Sequence, residues 1–423
     1  MSKISTFRAF RSRNYTFYFI GRSVSQFGTW MQRTAVVWVV YSITHSPFML
    51  GLSVFAEQFP SFLFSAFGGV AADRYNRYKI VNITQITSMI QATLLAVLVM
   101  TKHYVVWEIL ALSVVLGIIN AYDIPARQSM INEVVTDEAD LPSALSLSAS
   151  MASLAKLLGP ALSGIILEKF GAGICFLINA ASFGGVMLSI AFMKVPKNIK
   201  PTRPKKNVFK ELKDGFDYLT QESSIGLVIV MLSITGLLVL PYDTLIPVFA
   251  KEIFKGNAAT FGYISSFIGI GAVAGTILLA SFKKDAPLRL VLVLSTIILS
   301  AGLICFSHTT NFPLAMLFAT ITGFGGVAQF TTCNIIVQSE SSPEMRGRAI
   351  SILLTAIFGM LPLGSLVVGA ISEHIGAPNT ILAQGIIGIT VALFFAKILK
   401  KKRQNAATLQ ANIEAEEEML ESI

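Results

Sequence analysis

The stretch GGVAADRYNRYK, residues 68–79, is a short charged joint between two apolar runs, 48–72 and 80–101. A bilayer core about 30 Å thick takes a helix of roughly 20 apolar residues to cross it. No water is available inside to pair backbone N–H and C=O groups, so each run has to be helical. Outward from this joint the same alternation fills the chain. Further spans are expected at 15–43, 104–124, 143–168, 172–193, 224–250, 258–282, 288–307, 312–336, 349–372 and 377–398. The reading is an all-α membrane protein with twelve transmembrane helices.

Composition agrees, since 53% of the residues are hydrophobic and only 13% charged, far from the balance of a soluble domain. The net charge of +9 does not point to nucleic acid, because the basic residues are spread over joints and termini. Of 33 Lys and Arg, only Lys102, Lys169, Lys251 and Lys255 fall in or beside odd-numbered joints, and only Arg22, Arg33 and Lys156 within spans. The rest mark the cytoplasmic side. With an even number of crossings, both termini are expected there. The basic start (Lys3, Arg8, Arg11, Arg13) leads into a run too long for a signal peptide, so it is read as a retained first span. Cys175, Cys305 and Cys333 stand alone, without disulfide or zinc spacing, and no metal or cofactor is expected. No GxxxxGK[ST] loop for ATP is present. The four histidines, His45, His103, His308 and His374, lie near the outer joints and form no catalytic set, so the chain does not read as an enzyme.

The longest joint, 194–223, opens rich in Pro and Lys and then places Phe209, Leu212, Phe216 and Leu219 at helical spacing. It reads as a cytoplasmic linker with an interfacial helix. It divides the chain into a six-helix bundle, 1–193, and a second, 224–398, followed by a tail, 399–423, that is basic near the membrane and then acidic. The halves repeat. A shift of 205 sets Ala144 on Ala349, Gly159 on Gly364, Gly164 on Gly369, Glu168 on Glu373 and Gly171 on Gly376; a shift of 211 sets Gly51 on Gly262, by itself a weak match. Two pseudo-symmetric bundles imply a central site between them and rocking of one against the other.

Within the opening joint, Gly69, Asp73, Arg74, Arg77 and Lys79 resemble the signature of the major facilitator superfamily, Gly-x-x-x-Asp-Arg-x-Gly-Arg-x-Lys. Asn76 stands where the pattern has Gly, a mild departure because Asn tolerates left-handed backbone. The stretches DIPARQSMINEVV (123–135), LGPALSG (158–164) and QSESSPEMRGRAIS (338–351) are similar to one branch, the bacterial exporters related to the enterobactin exporter and the macrolide efflux pumps. The resemblance implies a monomeric secondary transporter of the bacterial inner membrane. It would export an amphipathic organic compound, a siderophore or a drug, against protons. A lysophospholipid carrier and a transport-inactive receptor on the same fold are the alternatives.

The resemblance also assigns roles. Asp73 would cap the N-terminus of the eleventh span near Ala349, and Arg77 would pair with Asp123 at the cytoplasmic end of the fourth, latching the halves shut on the inside. The matching joint of the second half, FKKDAPLR, looks degenerate. Gly159, Pro160, Ser163 and Gly164 keep the fifth span thin for close packing, and in relatives such a stretch seals the cavity. The first, fourth, seventh and tenth spans of this fold line the cavity, which points to Arg22, Gln26, Tyr122, Phe324, Gln329 and Asn334 as substrate contacts.

Ionisable groups at membrane depth are costly and mark paired or functional sites. Arg33 lies about as far before the outer hairpin near His45 as Glu57 lies after it, so the two are expected to pair. Arg22, Gln26, Thr29 and Arg33 form one helical stripe, and Ser53, Glu57, Ser61, Ser65 and Gly68 another. Glu57 is the first candidate for proton carrier, against the alternative of a static ion pair. Asp243, between the prolines of PYDTLIP, is the second, against an outer-gate role or plain solvation. Lys156, in the middle of the fifth span, is a candidate to bind an anionic group or neutralise a carboxylate.

Overall fold

The computed structural model describes residues 5–102, 104–193, 217, 223–282 and 286–398. The linker and interfacial helix expected over 194–223 (apart from 217 and 223), residues 283–285 of FKKDAPLR and the tail 399–423 lie outside the described residues.

Twelve long helical elements follow one another. They are α1 (Arg13–Thr44), α2 (Pro47–Arg74), α3 (Arg77–Thr101), α4 (Val106–Val134), α5 (Leu141–Phe170) and α6 (Ala172–Ala191), then α7 (Ile225–Ile253), α8 (Ala258–Ala280), α9 (Leu288–Ser307), α10 (Phe312–Glu340), α11 (Arg346–Ile375) and α12 (Ala377–Ile398). Among the described residues, eleven of these are long and apolar enough to cross a membrane, and α1 is the exception. Its 32 residues include Arg22, Gln26, Gln32 and Arg33. Its polar groups meet polar partners: Arg33 donates to Glu57, and Gln32 bonds to Gln91 and Asn179.

Joints are short because caps stop the chain sharply. Ser46 accepts from the Met49 N–H at the start of α2, Asn76 from Lys79 at α3, and Asn311 from Leu314 at α10. A side-chain oxygen there satisfies an N–H that has no partner inside the helix. His45 ends α1 with φ 50°, so only two residues separate α1 from α2. Gly171 and Gly376, paired by the internal repeat, both have φ 81° and turn α5 into α6 and α11 into α12. Glycine adopts this backbone without a Cβ penalty.

The α7 element is broken. Its α-helical part ends at Leu238, Leu240–Leu245 is a 3-10 turn with Pro241 at ψ 15°, and Phe249–Ile253 is a π turn. Pro241 and Pro247 lack the N–H that a regular helix needs, which accounts for the break.

Helices α1–α6 pack into one bundle and α7–α12 into another, joined by α2 against α11 and α5 against α8. Small residues make both contacts. Gly164 meets the carbonyl of Ala258 and Gly262, and Gly51 meets the carbonyl of Ser365 and Gly369. The Gly51–Gly262 match of the repeat, weak by itself, is thus one half of a symmetric pair of crossings. Between them Trp38 of α1 stacks on Phe261 of α8 at 6.2 Å. All of this lies toward the face that carries His45, here termed the hairpin face. Toward the opposite, terminal face a Cβ on Gly69 or on Gly347 would meet nothing within 4 Å.

Candidate functional site

The polar stripe of α1 lines two adjoining cavities whose lining residues all belong to α1–α6. A cavity of about 190 Å³ is lined by Arg22, Gln26, Thr29, Trp30 and Arg33 of α1, with Glu57 of α2 and Asn120, Asp123 and Arg127 of α4. A second cavity of about 160 Å³ continues it along α1, α4 and α5, sharing Arg22, Gln26, Asp123 and Arg127.

Arg33 donates from Nη2 and Nε to Glu57 Oε1, at 2.8 and 3.1 Å. The guanidinium also lies 5.5 Å from the Trp30 ring centroid. The Glu57 side chain is 11% exposed and that of Arg33 39%, so the carboxylate is shielded while the cation faces the opening. Asp243 is exposed although its neighbours Pro241, Tyr242, Thr244 and Leu245 are buried. The break in α7 turns it inward, within electrostatic reach of Lys156 and Arg33. Lys156, on α5, feels both Asp243 and Arg33. Arg33 and Glu57 are thus in contact within the first bundle, and Lys156 of α5 and Asp243 of α7 lie near enough to act on Arg33 and on each other across the boundary between the bundles.

Neutral polar groups brace the cavity wall behind the pair. Asn179 donates to Gln32, Gln32 to Gln91 and Gln91 to the Leu112 carbonyl, at 2.8, 3.0 and 3.0 Å. This chain ties α6, α1, α3 and α4 together with all three side chains buried. Polar groups hidden this way cost free energy unless paired.

The latch expected on the terminal face differs from the sequence reading. Arg77 does not reach Asp123; it pairs with Glu133 of α4 and donates to the Ala72 carbonyl at 3.1 Å. The cause is the length of α4, which runs on to Val134 and leaves Asp123 in the helix interior rather than at its end. Asp123 is buried instead among Arg127, Thr84 and Gln85, accepting from all three. Asp73 is exposed and makes no ion pair or hydrogen bond among the described residues, so it does not cap α11 in this state. Arg74 and Lys79 are exposed as well. The second half is less degenerate than its joint suggested: Arg289 at the start of α9 donates to Glu340 at the end of α10, at 2.8 Å.

On the hairpin face an interbundle cap is present. Glu373 of α11 accepts from Ser46 Oγ at 2.8 Å and from the Phe48 N–H at 3.1 Å, at the N-terminus of α2. Unpaired N–H groups there favour an anion. His45 lies 3.6 Å from Glu252, and Lys251 lies 5.7 Å from the Tyr41 ring.

Of the fifth-helix residues, Gly159 faces the Trp30 side chain, the Pro160 carbonyl meets Gly262, and Gly164 sits against α8. The Ala161 N–H donates across the bundle boundary to Ser266 Oγ at 3.0 Å. Of the six residues expected in the cavity, Arg22 and Gln26 line it, and Tyr122, Phe324, Gln329 and Asn334 lie elsewhere. Gln329 is fully buried and donates to Thr235 at 3.0 Å, a strut between α10 and α7. Tyr122 lines a shallow hollow of α3 and α4 with Ile80, Ile83 and Thr87, one residue round the helix from Asp123. Phe324 and Asn334 are half-buried; the backbone of Phe324 packs against Gly271 of α8, and Asn334 accepts from Gln338. Sequence reading passed over Arg127, Glu133, Arg289 and Glu340. Arg127 stood four residues after Asp123, the spacing of an ion pair on one helix face.

Twelve helices in two bundles, the first holding a cavity lined by charged side chains, define a multi-pass membrane transporter of the major facilitator type. The chain belongs to the transmembrane secretion effector family, whose model matches residues 4–422. It is 26% identical over 395 residues to a staphyloferrin A transporter of Staphylococcus aureus, covering 91% of this chain and 96% of that one. It is 19% identical over 379 residues to a macrolide efflux protein A of Streptococcus pyogenes, covering 88% and 93%. A solved POT family transporter, in complex with a thioalcohol-conjugated peptide, matches with a TM-score of 0.74 at 13% identity, covering 92% of this chain and 96% of that one. That likeness is one of fold.

Proposed function

We propose that the chain exports an amphipathic organic compound, a siderophore or a drug, from the cytoplasm of a bacterium across its inner membrane, and that protons moving inward drive the export. The observation that carries this reading is the Arg33–Glu57 pair, within electrostatic reach of Asp243 of the second bundle, beneath glycine crossings that pack the two bundles together on the hairpin face. The terminal face is the cytoplasmic one, because basic residues gather there. The state described is then shut on the outer face.

Exchange follows from differential affinity. A ligand shifts a conformational equilibrium only by preferring one state. Protonation of Glu57 would release Arg33, and protonation of Asp243 would remove the negative charge that acts on Lys156 and Arg33 from the second bundle. Either event alters the balance of charge across the boundary between the bundles. Substrate entering from the cytoplasm would require the carboxylates to be ionised again, so proton and substrate occupy the site in turn. The bundles 1–193 and 224–398 act as the two moving bodies of a monomer, and the α2–α11 and α5–α8 crossings on the hairpin face are the gate that parts for release.

The test is transport by the full chain reconstituted in liposomes. Vesicles carry a panel of siderophores, macrolides and fluorescent drugs on the side of the terminal face, and a pH gradient is imposed. Export that collapses with a proton ionophore is expected for at least one compound. Flux indifferent to the gradient would remove the proton from the scheme. Movement of labelled lysophospholipid alone would replace the proposed cargo with a lipid.

A further inference from the structure

Two arginines share the outer part of the cavity, nearer the terminal face. Arg22 is the tenth residue of α1, which places it ~14 Å along the helix. It lies within electrostatic reach of Arg127, Asp123 and Tyr18. Arg127 is 7% exposed, and its Nε donates to Asp123. Its Nη1 is buried without a hydrogen-bond partner. Arg22 has no ion pair and no side-chain hydrogen bond among the described residues. Asp123 already accepts from Arg127, Thr84 and Gln85. Two guanidiniums thus face one carboxylate, and the wall carries one uncompensated positive charge.

Such a charge is costly at membrane depth unless something supplies the counter-charge. Neutral partners surround the gap: Gln26, Gln128 and Ser148 line it, with Ile131, Met151 and Ala152 as an apolar floor. Guanidinium donors lie in a plane and suit an oxyanion, which can accept two parallel N–H bonds. Arg33 is eleven residues further along α1 than Arg22, ~16 Å deeper, so this station is separate from the Glu57 pair.

We propose that the transported compound is an organic oxyanion, whose carboxylate or phosphate docks between Arg22 and Arg127 while its apolar body lies against α4 and α5. This rests on the transport reading above and names the chemical class of its cargo.

The experiment titrates the full chain in nanodiscs with three probes of one aromatic body, 2-naphthoate, 2-naphthyl phosphate and uncharged 2-naphthamide. Both anions should bind about tenfold or more tighter than the amide, since charge-assisted hydrogen bonds are the difference. Arg22→Gln should lower anion affinity by about tenfold and leave the amide unchanged, and Arg22→Lys should retain part of it. Should Arg22→Gln fail to fold, Gln26→Glu sets a carboxylate one helical turn from Arg22 and should displace the anions. The tighter anion identifies the source: carboxylate for a soluble organic acid, phosphate for a lipid headgroup. Equal binding of the amide, no binding of either anion, or anion affinity untouched by Arg22→Gln and by Gln26→Glu would overturn the proposal. The transport reading fails separately, if naphthoate binds at Arg22 but no compound is moved by the pH gradient.

Discussion

Gly262 of α8 sits over Gly164 of α5 with no room for a side chain: a Cβ on Gly262 would stand 3.1 Å from the Gly164 Cα and 2.4 Å from the Pro160 carbonyl oxygen. Gly51 and Gly369 repeat the arrangement between α2 and α11, where a Cβ on Gly51 would come within 2.2 Å of the Ser365 carbonyl. Backbone cannot yield as a flexible side chain can. Gly262→Val should therefore oppose closure of the hairpin face by about 1–3 kcal/mol. The expected outcome is faster modification of a cysteine placed at Thr29, inside the cavity, by an impermeant maleimide added on the hairpin face. Export should fall in parallel. Labelling and flux both equal to the parent protein would mean that these glycines do not set the gate.

Replacing Glu57 by Gln leaves Arg33 without its carboxylate. Removing one member of a shielded pair costs more than the pair contributes, because a charge is left uncompensated. Export driven by a pH gradient should drop at least about tenfold, while counterflow of unlabelled against labelled substrate, which needs no net proton movement, should be less affected. Unimpaired coupling would make Arg33–Glu57 a static strut and pass the proton to Asp243.

Much of this site was legible in the sequence, for one geometric reason. A two-residue turn joins α1 to α2, so equal distances from His45 mean equal depth, and the 3.6-residue spacing of Arg22, Gln26, Thr29 and Arg33 gives the face. That is enough to bring Arg33 to Glu57. Pairings that depend on where a helix stops were not legible. The segment after Asp123 is polar and reads as a joint, yet α4 continues through it to Val134. That extension carries Glu133, not Asp123, to Arg77, about 15 Å further along the axis. Tyr122 was assigned to the cavity with its span, but a neighbour on a helix is turned by about 100°, and Asp123 holds the inward direction. Glu373 was visible only as the repeat of Glu168. Its contact with Ser46 joins residues from opposite ends of the chain, which local pattern cannot show.

That contact makes a prediction of its own. Glu373 caps α2 only while the hairpin face is shut, so it stabilises one conformation. Glu373→Gln keeps an acceptor but removes the charge that complements the N-terminal dipole, a loss of about 0.5–1 kcal/mol. The closed hairpin face should become about two- to fivefold less populated, read by the same maleimide assay at Thr29. Because Glu373 is exposed and its bond to Ser46 lies at the surface, the effect should shrink at high salt. A salt-independent change of similar size would point to packing rather than charge.

The two bundles carry equivalent ion pairs on the terminal face that differ in burial, and this difference separates their expected contributions. Arg77 and Glu133 are 17% and 16% exposed, whereas Arg289 and Glu340 are 44% and 34% exposed. Both pairs tie the third helix of a bundle to the fourth, so they brace each bundle rather than latch one to the other. A solvated pair contributes about 0–1 kcal/mol. Breaking a shielded one costs about 3 kcal/mol or more, since the remaining charge has lost its partner away from water. Glu133→Gln should therefore lower the Tm of the protein in nanodiscs by several degrees, and Glu340→Gln by little. Arg77 keeps its bond to the Ala72 carbonyl, which limits the loss. The double variant Arg77→Gln, Glu133→Gln should recover part of the Tm, as both charges are then gone. Equal shifts for Glu133→Gln and Glu340→Gln, or no recovery in the double variant, would show that burial does not set the strength of these two pairs.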